Sequence, residues 1–372
     1  MAFLTLILKN LLRRPSRSLL TLLGISIGIA AVVALTSLAW GFELSWSNVY
    51  RSRGTDLIVT QTKIRGAMPA AFDDTYKAAL QALPHVRVVT GTLGDIFSIE
   101  TAPTMVAAGW EPGSPLWDKI RTVKGAPPAP DSMDTAYVGE VAAELLGKTV
   151  GDTVQIETSE YTICGIYSSP AVAENSSIII NLRAMQALTD REGKVNFFEI
   201  FLAPGTSDQD VTALRTRIKE MMPGFSAFQA GTLAQNSVGV QLAKAMSIGT
   251  SLIALIVGAV GVMNTILMSV FERIQEIGVL LAIGWRRSRI RRMILLESMV
   301  LGFLGGAIGC GLGVVCTKLI QYTPWLRGKI EADITPTLLL VSMGISVALG
   351  ALGGLYPAWL GSRMSPASAM QH

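Results

Sequence analysis

The run LLTLLGISIGIAAVVALTSLA, residues 19–39, decides the fold class, because it contains no charged side chain. A helix needs about 20 apolar residues to cross the hydrocarbon core of a bilayer. Because the run is longer than the apolar core of a signal peptide, we expect it to remain in the protein. Three later runs satisfy the same length rule: residues 248–270, 294–316 and 338–360. The sequence therefore predicts a membrane protein with four transmembrane helices.

Most of the charged residues lie between the first and second of these apolar runs. Residues 43–245 hold 17 Lys and Arg and 22 Asp and Glu, out of 31 and 27 in the whole 372-residue chain. The apolar runs exclude a purely soluble protein, and this polar block excludes a many-span transporter with short loops. The block is net negative, so the formal charge of +4 does not indicate nucleic-acid binding.

The polar block is expected to fold as one inserted domain, residues 40–247, with a stalk at each end. Its periodicity alternates between strand-like and helix-like segments. This mixed order predicts a large α+β domain, arranged as two lobes, between transmembrane helices 1 and 2. We predict strands at residues 56–60, 86–90, 96–100, 153–158, 162–167, 178–180 and 197–202, and helices at 73–83, 140–146, 182–189 and 208–222.

Basic residues surround the apolar runs unevenly, and this bias predicts the orientation. The positive-inside rule places segments rich in Lys and Arg in the cytoplasm. These segments are residues 1–18, 271–293 and 361–372, so both termini are expected to be cytoplasmic. The inserted domain is then extracytoplasmic, as is the loop at residues 317–337. We expect residues 1–18 to lie as an amphipathic segment on the membrane surface, and lipid headgroups to contact a basic set of Arg13, Arg14, Arg286, Arg287, Arg289, Arg291 and Arg292.

Small residues four apart in the apolar runs predict where transmembrane helices pack closely. Lipid provides no hydrophobic drive for association, so helices associate through close backbone approach and through hydrogen bonds. Two polar side chains extend this prediction. We expect Asn264 to form an interhelical hydrogen bond and Glu297 to pair with a nearby arginine. The glycines predicted to pack are Gly24, Gly28, Gly302, Gly306, Gly350 and Gly354.

The inserted block lacks the residue patterns that indicate catalysis. Its single histidine, His85, has no second His or Cys near it in sequence. The stretch AAELLGKT, residues 142–149, approaches a phosphate-binding loop, but Ala142 replaces the first glycine. We interpret Gly147 and Gly151 as turn residues that lead into a hairpin. On these grounds we expect no enzyme activity, no cofactor and no metal site on this chain.

The stretch FERIQEIGVLLAIGWRRSRIRRMILLE, residues 271–297, is the most informative connection between apolar runs. Read as a helix that continues from the second run, it places Glu272 and Glu276 on one face, ahead of several small residues. The positive-inside bias explains the arginines, but it does not explain two glutamates before a small-residue stretch. We therefore predict that this segment enters a groove of a partner protein.

At the same residues the sequence resembles a known family. The pattern E-R-x-x-E-I-G-x-x-x-A-x-G at Glu272–Gly284 resembles the signature of the FtsX-like permease domain in the MacB, LolC/LolE and FtsX group of ABC transporters. Asn10–Gly28 resembles the start of these permeases, and Tyr356–Ala358 resembles part of their end. Val138–Gly165 is similar to a pattern of the MacB-type periplasmic core domain. The resemblance covers essentially the whole chain, in the family's order.

The resemblance implies a non-catalytic permease subunit of a bacterial cytoplasmic membrane. ATP and Mg would be bound by a separate ABC ATPase dimer, and a second copy or a related permease would complete the assembly. Stalks at Trp40–Arg53 and Gln235–Ile248 would carry movement to the external domain and drive export or release of a substrate. The implied ATPase-coupling residues are Glu272, Arg273, Glu276, Gly278, Ala282 and Gly284.

The resemblance leaves alternatives for the external domain. This domain either acts alone or contacts a periplasmic adaptor (a membrane-fusion protein) or an outer-membrane partner. The alternative function is an FtsX-like signalling subunit that activates an external cell-wall hydrolase. The large external block is similar to the MacB core domain, and this similarity favours export over signalling.

Overall fold

The chain divides into two compact units. The helical unit comprises Met1–Ala39, Lys244–Ile320 and Ala332–His372, and the sheet unit comprises Trp40–Ala243 and Gln321–Glu331. Four long apolar helices, with an α+β unit inserted between the first and second of them, confirm the predicted fold class. The structure is a computed structural model that describes residues 15–62, 68–100, 104–236, 238–323 and 331–363.

The elements begin with a long helix, continue as alternating strands and short helices, and end with further long helices. Up to residue 168 they are α1 (Pro15–Ser52), β1 (Leu57–Gln61), β2 (Phe72–Asp73), α2 (Tyr76–Gln81), β3 (Val86–Phe97), β4 (Met105–Trp110), β5 (Arg121–Gly125), β6 (Thr135–Gly139), α3 (Glu140–Leu146), β7 (Thr153–Ile156) and β8 (Ser159–Ser168). The later elements are α4 (Val172–Asn175), β9 (Ile178–Asn181), α5 (Leu182–Leu188), β10 (Lys194–Val195), β11 (Phe197–Leu202), α6 (Asp208–Met221), β12 (Phe225–Gln229), α7 (Leu233–Asn236), α8 (Val238–Glu272), α9 (Ile274–Ala282), α10 (Arg287–Gln321) and α11 (Pro336–Arg363).

Four helices, α1, α8, α10 and α11, are long and apolar enough to cross a bilayer. Their buried faces share one apolar cluster, which includes Ile29, Val262, Ile294 and Ala358. All four helices are longer than their apolar runs, and α1 and α8 extend well into the sheet unit. The boundary between the two units falls after Ala39 within α1, and before Lys244 within α8. Each of these two helices therefore supplies residues to both units.

The sheet unit is built on one ten-stranded sheet. Its strand order is β12-β1-β11-β3-β4-β9-β6-β8-β5, with β7 also paired to β8. Strand β4 runs parallel to β9, from Ala107 opposite Ile178 to Trp110 opposite Asn181, and this pairing joins the two halves of the sheet. The prediction of two lobes is therefore wrong for the sheet, which is continuous from one half to the other. The sequence pattern did not reveal β4, the strand that connects them.

The two faces of this sheet carry different side chains. Residues paired directly across neighbouring strands project to the same face, and residues alternate between faces along each strand. On β11, Phe198 and Ile200 project into the main apolar core, whereas Glu199 projects to the opposite face. The helices α2, α3, α5 and α6 cover the apolar face and contribute to its core through Leu80, Ala142, Met185 and Leu214.

Strand β3 differs from the prediction for this region. The sequence predicts separate strands at residues 86–90 and 96–100, whereas β3 runs without a break from Val86 to Phe97. A Cβ atom on Gly91 would lie 2.8 Å from Val195 Cγ1, so this glycine allows close packing within a strand and does not mark a turn. The other predicted strands and helices of the block each coincide with an observed element.

Candidate functional site

The connection between α8 and α10 folds as a separate short helix, α9. Arg273 has φ −106° and ψ 20°, so α8 ends at Glu272 and α9 begins at Ile274. The prediction of one continuous helix is wrong, because Arg273 leaves the helical conformation. Beyond α9, Gly284 has φ +95°, and no heavy atom lies within 4 Å of a Cβ built on it among the described residues. The positive φ explains why glycine occupies this position, because residues with a side chain rarely adopt that backbone conformation.

The two faces of α9 differ in exposure. Ile277 and Gly278 are buried, and Ile277 belongs to the apolar cluster of the helical unit. Outside the bundle, Val279 is 46% exposed, and Ile283, directly after the helix, is 74% exposed. Residues three and four apart share a helix face, so these side chains lie side by side. Together with three neighbouring exposed residues they form what we call the α9 surface: Glu276, Val279, Ala282, Ile283 and Gly284.

Arg273 makes an ion pair inside the helical unit. Its Nη2 atom donates to Oε1 and Oε2 of Glu297, on α10, at 2.8 Å and 2.9 Å. Glu297 is 5% exposed. This contact confirms that Glu297 pairs with an arginine, and it places Arg273 away from the α9 surface. The implied coupling residues are therefore divided: Arg273 and Gly278 face the bundle, and the α9 surface faces outward.

The basic residues that follow α9 are exposed. The guanidinium of Arg289 lies over the ring of Trp285, with Cζ 5.2 Å from the ring centroid. Such a contact holds the charge at one position while the guanidinium stays open to an anion. The residues Arg286, Arg287, Arg289, Arg291 and Arg292 are all exposed. Two further members of the predicted basic set, Arg13 and Arg14, lie outside the described residues.

Helices α10 and α11 approach closely at the predicted glycines. A Cβ on Gly302 would lie 2.6 Å from the carbonyl oxygen of Ser346 and 3.3 Å from the Cα of Gly350. A Cβ on Gly306 would lie 2.7 Å from the Cβ of Ser346. The Ser346 hydroxyl donates to the carbonyl oxygen of Gly302 at 2.6 Å. Gly354 lies against Ser298 in the same contact. The absence of side chains brings these backbones within hydrogen-bonding reach.

Helix α1 uses a different set of glycines. Gly28 lies near Ala254 of α8, since its Cβ would lie 3.3 Å from the Ala254 carbonyl oxygen. Gly24 is exposed, and no heavy atom lies within 4 Å of its Cβ position in the described chain, so the structure does not place it in a helix contact. A second glycine stripe on α10 packs against α1 at Gly305–Ile25, Gly309–Ile29 and Gly313–Val33, with Cβ distances of 2.7, 2.8 and 2.7 Å.

The sheet unit contains a buried charge cluster that sequence reasoning missed. Arg53 follows α1, and its guanidinium donates from Nη1 to Glu199 and from Nε to Glu174, each at 2.7 Å. The two carboxylate side chains are 0% and 1% exposed. Thr55 and Ser169 donate to the remaining carboxylate oxygens. The partners of Arg53 are 121 and 146 residues away, so no local pattern could reveal them.

Aromatic rings surround the same guanidinium. Arg53 Cζ lies 4.8 Å from the centroid of the Trp110 ring and 5.5 Å from that of Tyr50. Burial alone would lower the pKa of Arg53, but the two carboxylates raise it above its ordinary value. Burial raises the pKa of Tyr50 well above the usual range. The cluster therefore keeps its guanidinium charged, and it fastens the end of α1 to β11 and α4 within the sheet unit.

The phosphate-loop-like stretch folds as the predicted turn. Gly147, with φ +66°, ends α3, and Gly151, with φ +95°, precedes β7. Lys148 Nζ donates to Glu100 Oε1 and to the carbonyl oxygen of Thr153. A helix before the glycine and a strand after it reverse the order that phosphate binding requires. Across the described ranges, no group of three or more His, Cys, Asp and Glu is arranged to hold a metal ion.

Two family descriptions match this chain. The MacB-like periplasmic core domain matches residues 18–220, and the FtsX-like permease C-terminal domain matches residues 248–366. The chain belongs to the MacB/FtsX family of ABC transporter permeases. The resemblance noted at Glu272–Gly284 and at Val138–Gly165 is thereby confirmed. It is a multi-pass membrane protein, as its long apolar helices and its family both indicate.

Relatives of this MacB/FtsX permease cover nearly all of it. An uncharacterized ABC transporter permease from Methanocaldococcus jannaschii is 26% identical over 402 residues, covering 99% of this chain and 97% of that protein. The macrolide export ATP-binding/permease protein MacB from Hahella chejuensis is 26% identical over 383 residues, covering 95% of this chain and 57% of that protein. The chain thus spans somewhat more than half the length of this MacB relative.

Solved structures are also similar to part of the permease. The periplasmic region of MacB from Actinobacillus actinomycetemcomitans aligns with a TM-score of 0.39 and 12% identity. It covers 50% of this chain and 94% of that structure. The two family matches also separate the two sites described above. The α9 surface lies in the FtsX-like part, and the Arg53 cluster lies in the MacB-like part.

Proposed function

We propose that the chain is a permease subunit that couples ATP hydrolysis by a separate ABC ATPase to movement of its sheet unit, which drives export or release of a substrate. The observation that carries this proposal is the α9 surface. Its large side chains, Val279 and Ile283, are apolar and exposed on a connection rich in arginine. Contiguous exposed apolar side chains mark a surface that a partner covers.

The contacts of α9 allow a push on its surface to reach two membrane helices. Ile277 packs into the apolar cluster of the helical unit, so α9 cannot move without disturbing that cluster. The ion pair between Arg273 and Glu297 joins the end of α8 to α10. Because the pair is largely buried, separating its charges is costly. Displacement of α9 would therefore move α8 and α10 together.

The helices α1 and α8 provide the connection to the sheet unit. A helix satisfies its backbone hydrogen bonds internally, so it can carry displacement through a bilayer without losing them. Residues 40–52 of α1 and 238–243 of α8 belong to the sheet unit. The Arg53 cluster fastens the end of α1 to β11 and α4. Movement of α1 would thus shift the sheet itself and not only a loop attached to it.

The basic residues support a location and an orientation. We place the protein in a bacterial cytoplasmic membrane, with both termini and α9 in the cytoplasm and the sheet unit outside. The exposed arginines after α9 contact acidic lipid headgroups there. ATP and Mg are bound by the ATPase dimer, and the sheet unit acts alone or with a periplasmic adaptor. Relatives named as macrolide export proteins support export as the outcome.

The ATPase partner can be tested through the α9 surface. We expect Ile283→Asp and Val279→Asp to lower copurification of the ATPase, and its stimulated ATP turnover, by about tenfold or more, because a charge replaces a desolvated apolar contact. Glu276→Lys is expected to act in the same direction through its reversed charge. The matched control is Met133→Asp, which changes an exposed apolar residue of the sheet unit. Unchanged binding in all three α9 variants would show that the coupling assignment is wrong.

A second measurement separates export from signalling. The permease and its ATPase are reconstituted in vesicles, and ATP turnover is measured with candidate substrates and with cell-wall hydrolases. Export predicts that a transported substrate stimulates turnover and accumulates on the far side of the membrane. Stimulation by a hydrolase alone, with no substrate movement, would contradict export and support an FtsX-like signalling subunit.

A further inference from the structure

Three exposed side chains near the end of α11 touch one another. The rings of Tyr356 and Trp359 are stacked, with centroids 6.4 Å apart and an interplanar angle of 23°. The guanidinium of Arg363 lies over the same Trp359 ring, with Cζ 4.4 Å from the centroid. All three residues are exposed, Tyr356 by 52% and Trp359 by 44%. Because residues three and four apart share a helix face, they form one continuous surface, which we call the α11 patch.

The length of α11 places this patch at the edge of the bilayer. The helix has 28 residues, so it is about 42 Å long, whereas the hydrocarbon core is about 30 Å thick. The apolar run of this helix ends at residue 360, and Arg363 lies beyond it. Tyr356 lies seven residues before Arg363, about 10 Å along the helix axis. The patch therefore extends from the hydrocarbon to the headgroup layer.

The packing of α10 against α11 shows that a second arginine–tryptophan pair lies at about the same level. Gly354 lies against Ser298 where these antiparallel helices meet. Arg363 is nine residues after Gly354, and Arg289 is nine residues before Ser298, so the two arginines are at similar depth. Arg289 also lies over a tryptophan ring, that of Trp285. Arginine and tryptophan at one depth are typical of the headgroup layer.

The α11 patch differs from the other tryptophans at the ends of the apolar runs. Trp285 packs against the apolar cluster of the helical unit, whereas Trp359 lies opposite the buried Pro357 and Ala358 on the outward side of α11. Trp40, at the end of the first apolar run, is 41% exposed, and no guanidinium of the described residues lies over its ring. A tryptophan alone is enough to anchor a helix end at the membrane surface. Anchoring therefore does not explain why a tyrosine and an arginine contact the same ring.

The stacked arrangement leaves hydrogen-bond donors available on the outward side. A guanidinium stacks through its flat face, so its N–H groups stay free within its plane. Among the described residues, no carboxylate pairs with Arg363, and none accepts a hydrogen bond from Trp359 Nε1 or from the Tyr356 hydroxyl. The indole N–H and the phenolic O–H are both donors. The patch thus offers one positive charge and two further donors, and it contains no negative charge.

We propose that the α11 patch binds the headgroup of one anionic phospholipid. The phosphodiester pairs with Arg363, because two N–H groups of a guanidinium match two phosphate oxygens. The glycerol ester carbonyls lie nearer the hydrocarbon and accept hydrogen bonds from Trp359 Nε1 and the Tyr356 hydroxyl. The acyl chains then lie along the exposed Leu352 and Leu355.

Charge decides between the classes of phospholipid. A zwitterionic headgroup would bring its own ammonium next to the guanidinium of Arg363, whereas an anionic headgroup brings only the charge that this arginine lacks among the described residues. The proposal goes beyond the proposed function, because the site lies on α11 and requires neither the ATPase nor the exported substrate.

Native mass spectrometry of the purified full chain tests the site. Phosphatidylglycerol and phosphatidylcholine with the same acyl chains are titrated separately, and the dissociation constant of the tightest-bound lipid is measured. We expect this constant to be about fivefold or more lower for phosphatidylglycerol, because only this lipid has a net negative headgroup. Arg363→Gln is expected to raise the phosphatidylglycerol constant about tenfold, and Trp359→Leu about threefold.

Matched variants separate the bound headgroup from a general attraction to anionic lipid. Arg121→Gln removes an exposed arginine of β5, and Phe303→Leu removes an exposed ring of α10, and both are expected to leave the constant unchanged. Arg363→Lys keeps the charge but loses the planar stack and the paired donors, so we expect about a threefold rise. Equal constants for the two lipids, or an unchanged constant in Arg363→Gln or in Arg363→Lys, would overturn the proposal. Displacement of the lipid by inorganic phosphate would also overturn it, because free phosphate would then be the occupant.

The same variants distinguish this proposal from the ATPase coupling. We expect Arg363→Gln to leave copurification of the ATPase unchanged, whereas Val279→Asp and Ile283→Asp lower it and leave lipid binding unchanged. Loss of ATPase copurification in Arg363→Gln, with lipid binding unchanged, would assign the patch to the ATPase and overturn the lipid site. Unchanged ATPase copurification in the two α9 variants contradicts only the coupling assignment.

Discussion

The interiors of the two units are built from different kinds of side chain. The core of the sheet unit contains bulky residues such as Leu57, Phe198 and Ile200, and its opposite face encloses the Arg53 cluster. The contact between α10 and α11 in the helical unit contains Gly302 and Gly350, with almost no side chain between the backbones. In water, burial of apolar area stabilises a fold, whereas in lipid the same burial gains little.

This difference predicts opposite sensitivities for the two units. The sheet unit depends on satisfying every buried charge, because water is the alternative environment for each of them. The helical unit depends on the distance between backbones, because dispersion contacts and short hydrogen bonds hold it together. Removal of a charge partner should therefore destabilise the sheet unit most. A larger side chain at a close helix contact should destabilise the helical unit most.

The largest effect is expected from Arg53→Leu. This change leaves Glu174 and Glu199 buried without their shared cation, and we expect a loss of about 3–5 kcal/mol in the free energy of unfolding of the sheet unit. Hydrogen exchange of the β1 and β11 amides in the purified chain measures it. Arg121→Leu, at an exposed position of β5, is the control. Equal protection in the two variants would show that the cluster does not stabilise the unit.

A smaller effect is expected from Gly302→Val. The added side chain would meet the Ser346 carbonyl oxygen and should destabilise the contact between α10 and α11 by about 1–3 kcal/mol. Gly311→Val is the matched control, because it lies on the same helix and no heavy atom of the described chain lies within 4 Å of its Cβ position. Thermal unfolding in one detergent measures both variants. A similar loss in the control would point to helix propensity and not to packing.

The smallest effect is expected at Glu100, on the surface of the sheet unit. A hydrogen bond from Lys148, with one from the Gln155 backbone, lowers the pKa of Glu100 below its ordinary value of 4.5. A lowered pKa in the folded state contributes stability that is present above pH 4.5 and is lost as the pH falls through the folded value. Lys148→Met should make the free energy of unfolding fall less as the pH is lowered through this range. We expect a difference of less than about 1 kcal/mol from wild type.

Stability measured from pH 3 to 6 in wild type and Lys148→Met tests this prediction. We expect the two curves to differ above about pH 5 and to converge at the acid end, because the protonated Glu100 no longer gains from the cation. A constant difference across this range would show that Lys148 acts through packing and not through the charge of Glu100.

Much of the fold could be predicted because membrane insertion depends on local composition. The uncharged run at residues 19–39 and the block of charges between residues 43 and 245 are visible without any tertiary contact. The strands of the block were predicted less completely. Strand β4 was missed, and β3 was predicted as two separate strands. Gly91 lies within β3 and packs against Val195, which belongs to a distant part of the chain.

The position of the candidate site in the chain was predicted from the sequence, but its geometry was not. The motif at residues 272–284 identified the segment, but the periodicity predicted a continuous helix. Arg273, the residue at the break, contacts Glu297, which is 24 residues away. Gly24 and Gly28 have the spacing of packed glycines, yet in the described structure a neighbouring helix approaches Gly28 and not Gly24. Spacing identifies a helix face, but only a neighbouring helix determines whether that face is used.

The sequence by itself determined that the chain has four apolar helices and one polar domain inserted after the first, because hydrophobicity and length are properties of continuous segments. It also contained the family motif. The tertiary structure alone decided that Arg53 joins Glu174 and Glu199 and that Arg273 faces Glu297. It also decided that, among the described residues, no neighbouring helix forms the expected hydrogen bond with Asn264. These contacts depend on which residues from distant parts of the chain come together, and the local sequence does not specify this.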